Sequence, residues 1–253
     1  MHDFSHIVTT LSCGCVSRFI DVYATTLQIL ANTNKNLVVL QLNYTEKEEV
    51  KDRLFVLQAL AKHNNNQLYV NHFSPTLSLA FMYSDTIKNY FSRKYWLSID
   101  DDILIPASSL SLIREATMQD HSLLLYGFFE CVNYRKYKDW NPNILSLREA
   151  LTLLNTEREK EIIHRLQEQL PYLVLLPLTK GQHSGSFIIK IEEITRTMVD
   201  TLAKWEKGRR GVDVFLCKSM KTANLIFGAN AFHTDRTQGT ITGFWKKDVQ
   251  EKL

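Results

Sequence analysis

The sequence predicts an α/β fold with a mostly parallel sheet flanked by helices, and three observations point to it. Short apolar runs alternate with longer segments of helical period through the first part of the chain. The stretches between successive runs are long enough for right-handed crossovers, which parallel strands require. Hydrophobic residues make up 45% of the 253, enough for a sizeable core.

From His6 to Leu11, HIVTTL has the brevity and β-branched content of a buried strand. Between Ser17 and Asn32, the residues Phe19, Ile20, Tyr23, Leu27 and Leu30 recur at roughly helical spacing. LVVLQL, Leu37 to Leu42, is the second strand. Thr45 with Glu48 forms a capping box, and Val50, Leu54, Leu57 and Leu60 stripe a helix that ends near Asn64. QLYVNHF is the third strand. Ser74-Pro75 opens a helix to about Ser92, with proline near its first turn. YWLSI is the fourth strand, and it runs straight into Asp100, Asp101 and Asp102. The order to this point is βαβαβαβ.

Helical signals resume from Ser108 to Met118, and SLLLYGFF from Ser122 reads as a strand. After Trp140 the pattern changes. Ser146 to Leu170 is long, charged and helical in period, with no flexible linker on either side, so it reads as an insertion rather than a separate domain. SGSFIIKI is then a strand, Glu192 to Lys207 a helix, KGRRG a loop, Val212 to Met220 a helix and NLIFGANAF a late strand.

Composition removes several classes of function. A formal charge of +3, from 30 basic and 27 acidic residues, lacks the basic footprint of a nucleic-acid binder. Cys13, Cys15, Cys131 and Cys217 are too few for a disulfide framework, and no second close pair completes a zinc site. The first ten residues, MHDFSHIVTT, show no signal-peptide pattern. The longest apolar run, Tyr172 to Leu178, is far short of the ~20 residues of a membrane span. The sequence reads as a soluble cytoplasmic protein, with peripheral membrane contact left open.

Three consecutive aspartates repel one another and resist desolvation, so they call for a counter-charge or for water. In a parallel α/β sheet the carboxyl ends of strands face the ligand crevice. Acids in that place suit a hard cation such as Mn²⁺ or Mg²⁺, which fills its shell with phosphate oxygens and water. A solvated loop or a helix N-cap is the plainer alternative.

The segment KYWLSIDDDILIP resembles the DxD region of the GT-A glycosyltransferases, particularly the broad family-2-like group. The element order from about Ile7 to Phe232 is similar as well. This resemblance implies one GT-A domain across 1–253, with a nucleotide-binding half over about 1–105 and an acceptor half over about 106–253. The helical insertion falls within about 143–170 of that second half. It implies that Asp100 meets the donor ribose or sugar and shares a Mn²⁺ or Mg²⁺ ion with Asp102. Asp101 is then the variable middle member of the donor-binding set. The implied reaction moves a sugar from a nucleoside-diphosphate sugar, UDP-linked for preference, to a saccharide or other hydroxyl.

The remaining candidates come from the same resemblance, each beside a plainer reading. Thr9, Thr10, Leu11 and Ser12 match the nucleotide pocket at the end of strand one, or are ordinary strand-end residues. Asn43 stands where many members have a base-reading aspartate, and it offers an amide to a pyrimidine or merely a turn. The family's arginine in the helix before the DxD strand has no counterpart between Pro75 and Ser92. Asp213 matches the acid that takes the acceptor's proton in inverting members; otherwise it is a helix-start carboxylate facing the macrodipole. His233 matches a further metal ligand of some members, or is a structural histidine. His183 to Ser186 match the sugar pocket or form a glycine turn. Lys207, Arg209 and Arg210 read best as a solvated loop, and Trp245 as a lid or an anchor. Two other functions compete. A sugar-phosphate nucleotidyltransferase would have a glycine-rich basic loop after strand one, where SCGCVSR has one glycine and one arginine. A non-catalytic carbohydrate- or nucleotide-binding protein would have no need of intact Asp100 and Asp102.

Overall fold

The computed structural model describes residues 1–14, 18–43, 48–73, 79–90, 92–101, 103–105, 107–121, 123–131, 173–177, 186–194, 198–200 and 222–234. In chain order the elements are β1 (His2–Asp3), β2 (Ile7–Cys13), α1 (Phe19–Asn32), β3 (Thr33–Asn34), β4 (Leu37–Leu42) and α2 (Glu48–His63). There follow β5 (Gln67–His72), α3 (Leu79–Asn89), β6 (Tyr95–Ile99), β7 (Ile103–Leu104), α4 (Ala107–Met118) and β8 (Leu123–Cys131). Last come β9 (Leu173–Pro177), β10 (Ser186–Lys190) and β11 (Thr222–Thr234). One sheet holds nine of these strands in the order β5-β4-β2-β6-β10-β8-β11-β7, with β9 also on β11. The predicted α/β sheet with flanking helices is present.

The predicted parallel direction holds for β5, β4, β2 and β6. Beyond β6 the sheet is mixed: β10 runs antiparallel to both β6 and β8, while β11 is parallel to β8 and antiparallel to β7 and β9. Strand patterning marks a strand without marking its direction, which depends on the end of the sheet from which the chain returns. Four strands differ from the sequence reading, among them β1 and β3, which pair with each other in a separate two-stranded sheet. Ile103–Leu104, read as an apolar tail to the aspartates, pairs with Phe232 and His233 of β11. The short apolar run at Leu173–Pro177 lies antiparallel along β11. Among the described residues no helix is long and apolar enough to cross a membrane.

The helix predicted from Glu192 begins differently. Ile191–Glu193 forms a single 3₁₀ turn, and the Ile191 N–H donates to the carbonyl of Lys94, which ties the turn to the start of β6. Residues 198–200 are helical. Thr45 of the capping box, Pro75, the insertion at 146–170 and the helix at 212–220 lie outside the described residues.

Period-two alternation sends the side chains of each central strand to two faces. Ile7, Leu11, Val38, Leu40, Tyr95, Leu97 and Ile99 point to one, where α1, α2 and α4 cover them with Phe19, Ile29, Leu57, Ile113 and others. Val8, Leu37, Val39, Trp96, Phe187 and Ile189 point to the other, under Tyr83 and Ile87 of α3 and under Ile191, Ile194 and Val199. Both faces being buried, these strands read as near-continuous hydrophobic runs.

Candidate functional site

The strand order fixes where a ligand crevice can form. From β2 the chain builds outward to β4 and β5, then returns to place β6 on the opposite side of β2. Between β2 and β6 the winding reverses, and such switch points open a crevice outside the carboxyl ends of the strands. Cys13–Gly14 leave β2 there, and Asp100–Asp101 leave β6 there. The Ile103 N–H donates to the Asp100 carbonyl at 3.3 Å, which ties the start of β7 back to the end of β6.

Asp101 joins the two strand ends. Its Oδ2 accepts from the Gly14 N–H at 3.0 Å, and its Oδ1 meets Arg18 Nη1 at 2.7 Å. Arg18 is the N-cap of α1 and makes no side-chain cap bond. A cation there faces the positive end of the helix dipole, which the Asp101 carboxylate offsets.

Asp100 is held from the opposite face. Tyr83 of α3 donates its phenol O–H to Asp100 Oδ1 at 3.0 Å. Ser12 Oγ lies 3.2 Å from Tyr83 Oη and 3.4 Å from Gln41 Oε1, with one hydrogen to offer between them. Gln41 Nε2 donates to the Met82 carbonyl at 2.8 Å and also contacts Thr86 Oγ1. Burial first, and then the Asp100 charge, push the Tyr83 phenol well above its usual range, so it stays a neutral donor.

The other predicted positions fall unequally. Thr9, Thr10 and Leu11 are 0% exposed and Ser12 is 4% exposed. Their side chains are taken up inside the sheet. Thr9 donates to Asn36 Oδ1, Thr10 accepts from Trp96 Nε1, Leu11 packs in the larger core and Ser12 joins the Tyr83 network. Beside their buried side chains, what this strand end offers a nucleotide is chiefly backbone. A strand-end hydroxyl looks the same in sequence whether it meets a ligand or a buried partner. Asn43 sits at the carboxyl end of β4, and its N–H donates to the Cys13 carbonyl at 3.0 Å, beside the crevice. Asp102 and Asp213 lie outside the described residues, as do His183, Gly185, Lys207, Arg209, Arg210 and Trp245. For His233 only the backbone is described: it stands in β11 opposite Ile103, next in sequence to Asp102. Among the described residues no group of three His, Cys, Asp or Glu side chains converges on one point.

Two residues of this region were missed. Tyr83 sits at core spacing on α3, and nothing near it in sequence marks its hydroxyl. Arg18 carries no local signal, because its partner lies 83 positions away.

No family model matches the chain, and no curated protein matches it in sequence. Solved structures do match it in fold. GalNAc-T7 with UDP, GalNAc and Mn²⁺ superposes with a TM-score of 0.55 at 12% identity, covering 92% of this chain and 44% of its own. The mannosyltransferase PcManGT from Pyrobaculum calidifontis, with GDP-Man and Mn²⁺, gives 0.51 at 10%, covering 92% and 58%. S. aureus TarS with UDP-GlcNAc gives 0.50 at 13%, covering 93% and 59%. The chain therefore has a GT-A-like fold and spans about half the length of the structures it matches. Identities this low speak for the fold alone.

Proposed function

We propose that the chain transfers a sugar from a nucleoside-diphosphate sugar, UDP-linked for preference, to an acceptor hydroxyl. The observation that carries this reading is the place of Asp100: at the winding reversal of a GT-A-like sheet, with one oxygen pinned by a buried phenol. The donor set suits a divalent cation. Asp100 and Asp102, two positions apart in sequence, would supply hard oxygens, and β11 brings the backbone of His233 opposite Ile103, where an imidazole would suit Mn²⁺. Asp101, engaged by Gly14 and Arg18, is left with the task of joining the strand ends. A bound Mn²⁺ or Mg²⁺ would supply positive charge against the departing diphosphate.

The chain's own residues do the rest. Asn43 and the backbone around Gly14 border the nucleotide side of the crevice, and Asp100 meets the ribose or sugar. Asp213 takes the proton of the acceptor hydroxyl as its oxygen bonds to the anomeric carbon and the carbon–phosphate oxygen bond breaks. Attack opposite the leaving group inverts the anomeric centre.

A thermal-shift panel of nucleotides with and without Mn²⁺ tests this. A nucleotide that binds only with metal should stabilise the chain by about 2.7 kcal/mol at one hundred times its dissociation constant. Asp102→Ala should remove the metal requirement along with that stabilisation. Metal-dependent binding that survives Asp102→Ala would overturn the assignment.

A further inference from the structure

We infer that Tyr83 is the positioning residue of Asp100, fixing the carboxylate's orientation with a neutral donor that adds no opposing charge. The inference rests on the proposed function and deepens it.

The α3-facing layer of the sheet is apolar for most of its extent, yet at the carboxyl end it holds a connected polar group. Ser12 comes from β2, Gln41 from β4, and Tyr83 and Thr86 from α3. These four side chains are at most 4% exposed. Burying them is unfavourable unless each is bonded, and packing alone would be served better by aliphatic residues. The contacts form a chain with one end at the crevice: Ser12, between Gln41 and Tyr83, donates to one of them, and Tyr83 donates to Asp100.

The phenol has little freedom to turn away. Its ring meets Trp96 edge-on, 5.2 Å between centroids at 75°, and Trp96 meets Phe187 in the same manner at 5.0 Å. Trp96 is itself anchored by its Nε1–H donating to Thr10 Oγ1 at 2.8 Å. Oη is thus a donor fixed in place before any ligand arrives. A guanidinium in its position would also orient Asp100, but it would cancel the charge that a divalent cation needs. A neutral hydroxyl orients without cancelling. Hydrogen-bonded partners of metal ligands act in this way, and their loss weakens metal binding by about tenfold to a hundredfold.

The test is a Mn²⁺ titration of the full chain at saturating UDP, read as the midpoint of thermal stabilisation, beside the melting temperature without metal. Tyr83→Phe keeps the ring stack and removes only the donor. Its Mn²⁺ midpoint should rise by about tenfold or more. A purely structural tyrosine would lower the metal-free melting temperature and leave the midpoint where it was. Ser12→Ala, which removes the hydroxyl beside Oη, should shift the midpoint the same way by roughly threefold. It serves alone if Tyr83→Phe does not fold. An unaltered midpoint in a folded variant, with the parent chain responding to Mn²⁺, overturns the role of Tyr83 and leaves the proposed function standing. No response to Mn²⁺ in the parent chain overturns both.

Discussion

The two faces of the central sheet are both buried, yet they are built from different materials. Under α1, α2 and α4 the strands meet a layer dominated by Ile, Leu, Val and Phe. Under α3 they meet aromatic rings in edge-on contact and the hydrogen-bonded chain from Gln41 to Asp100. The aliphatic face draws its stability from non-directional burial, which tolerates substitutions that conserve volume. The aromatic face spends polar side chains on direction, and that direction ends at an acid in the crevice. One sheet thus separates the work of holding the fold from the work of aiming a carboxylate.

Neighbouring residues of β6 give the sharpest way to break this distinction, since Trp96 and Leu97 point to opposite faces. Trp96→Ala should cost about 3–5 kcal/mol in urea denaturation and also raise the Mn²⁺ midpoint, because the Tyr83 ring loses its neighbour. Leu97→Ala should cost about 2–5 kcal/mol with no change in that midpoint among the folded molecules. Equal effects on metal binding from both would erase the difference between the faces.

A smaller effect is expected where the faces converge. The Arg18–Asp101 pair has side chains 27% and 18% exposed, so solvent screens part of its attraction. Arg18→Ala should cost no more than about 1 kcal/mol of stability. It should nonetheless weaken nucleotide binding measured by calorimetry, because the segment after β2 loses its ion pair to Asp101. Unchanged nucleotide affinity would remove Asp101 from the site and leave it as loop chemistry only.

The smallest effect lies at the opposite end of β2. Burial holds the His6 imidazole below its usual 6.5, with Asp3 pulling weakly the other way. The unfolded chain therefore takes up this proton more readily than the folded one. Its contribution is present above the usual histidine range and is lost as pH falls through that range toward the lowered value. Melting temperatures between pH 7.5 and pH 5.5 should fall, and His6→Gln should flatten part of that slope. A slope unchanged in His6→Gln would assign it to other groups.

The central strands of the parallel half were legible because they are short, mostly apolar and bounded by turn residues. LVVLQL and YWLSI begin and end where the sequence places them. Asp100 was legible for the same reason, since an acid that directly follows a buried strand must emerge at its end. What was illegible depends on distance along the chain. Thr10 looks like a ligand-facing hydroxyl until Trp96 is brought against it, and Asp101 looks like a spare acid until Arg18 is. Tyr83 has the spacing of a core aromatic, and nothing local reveals that its hydroxyl reaches an acid. The direction of β10 is a property of the returning chain rather than of SFIIK itself.

The central position of β6 has a consequence for how the protein is made. Its two hydrogen-bonded edges are filled by β2, roughly ninety residues upstream, and by β10, roughly ninety residues downstream. At translation speeds of about 5–20 residues per second, YWLSI waits for several seconds on the ribosome with one edge unfilled. An open apolar edge of this kind is a template for a strand from another nascent chain. A product truncated ahead of Ser186 would keep that edge for good, and aggregation would be its characteristic fate.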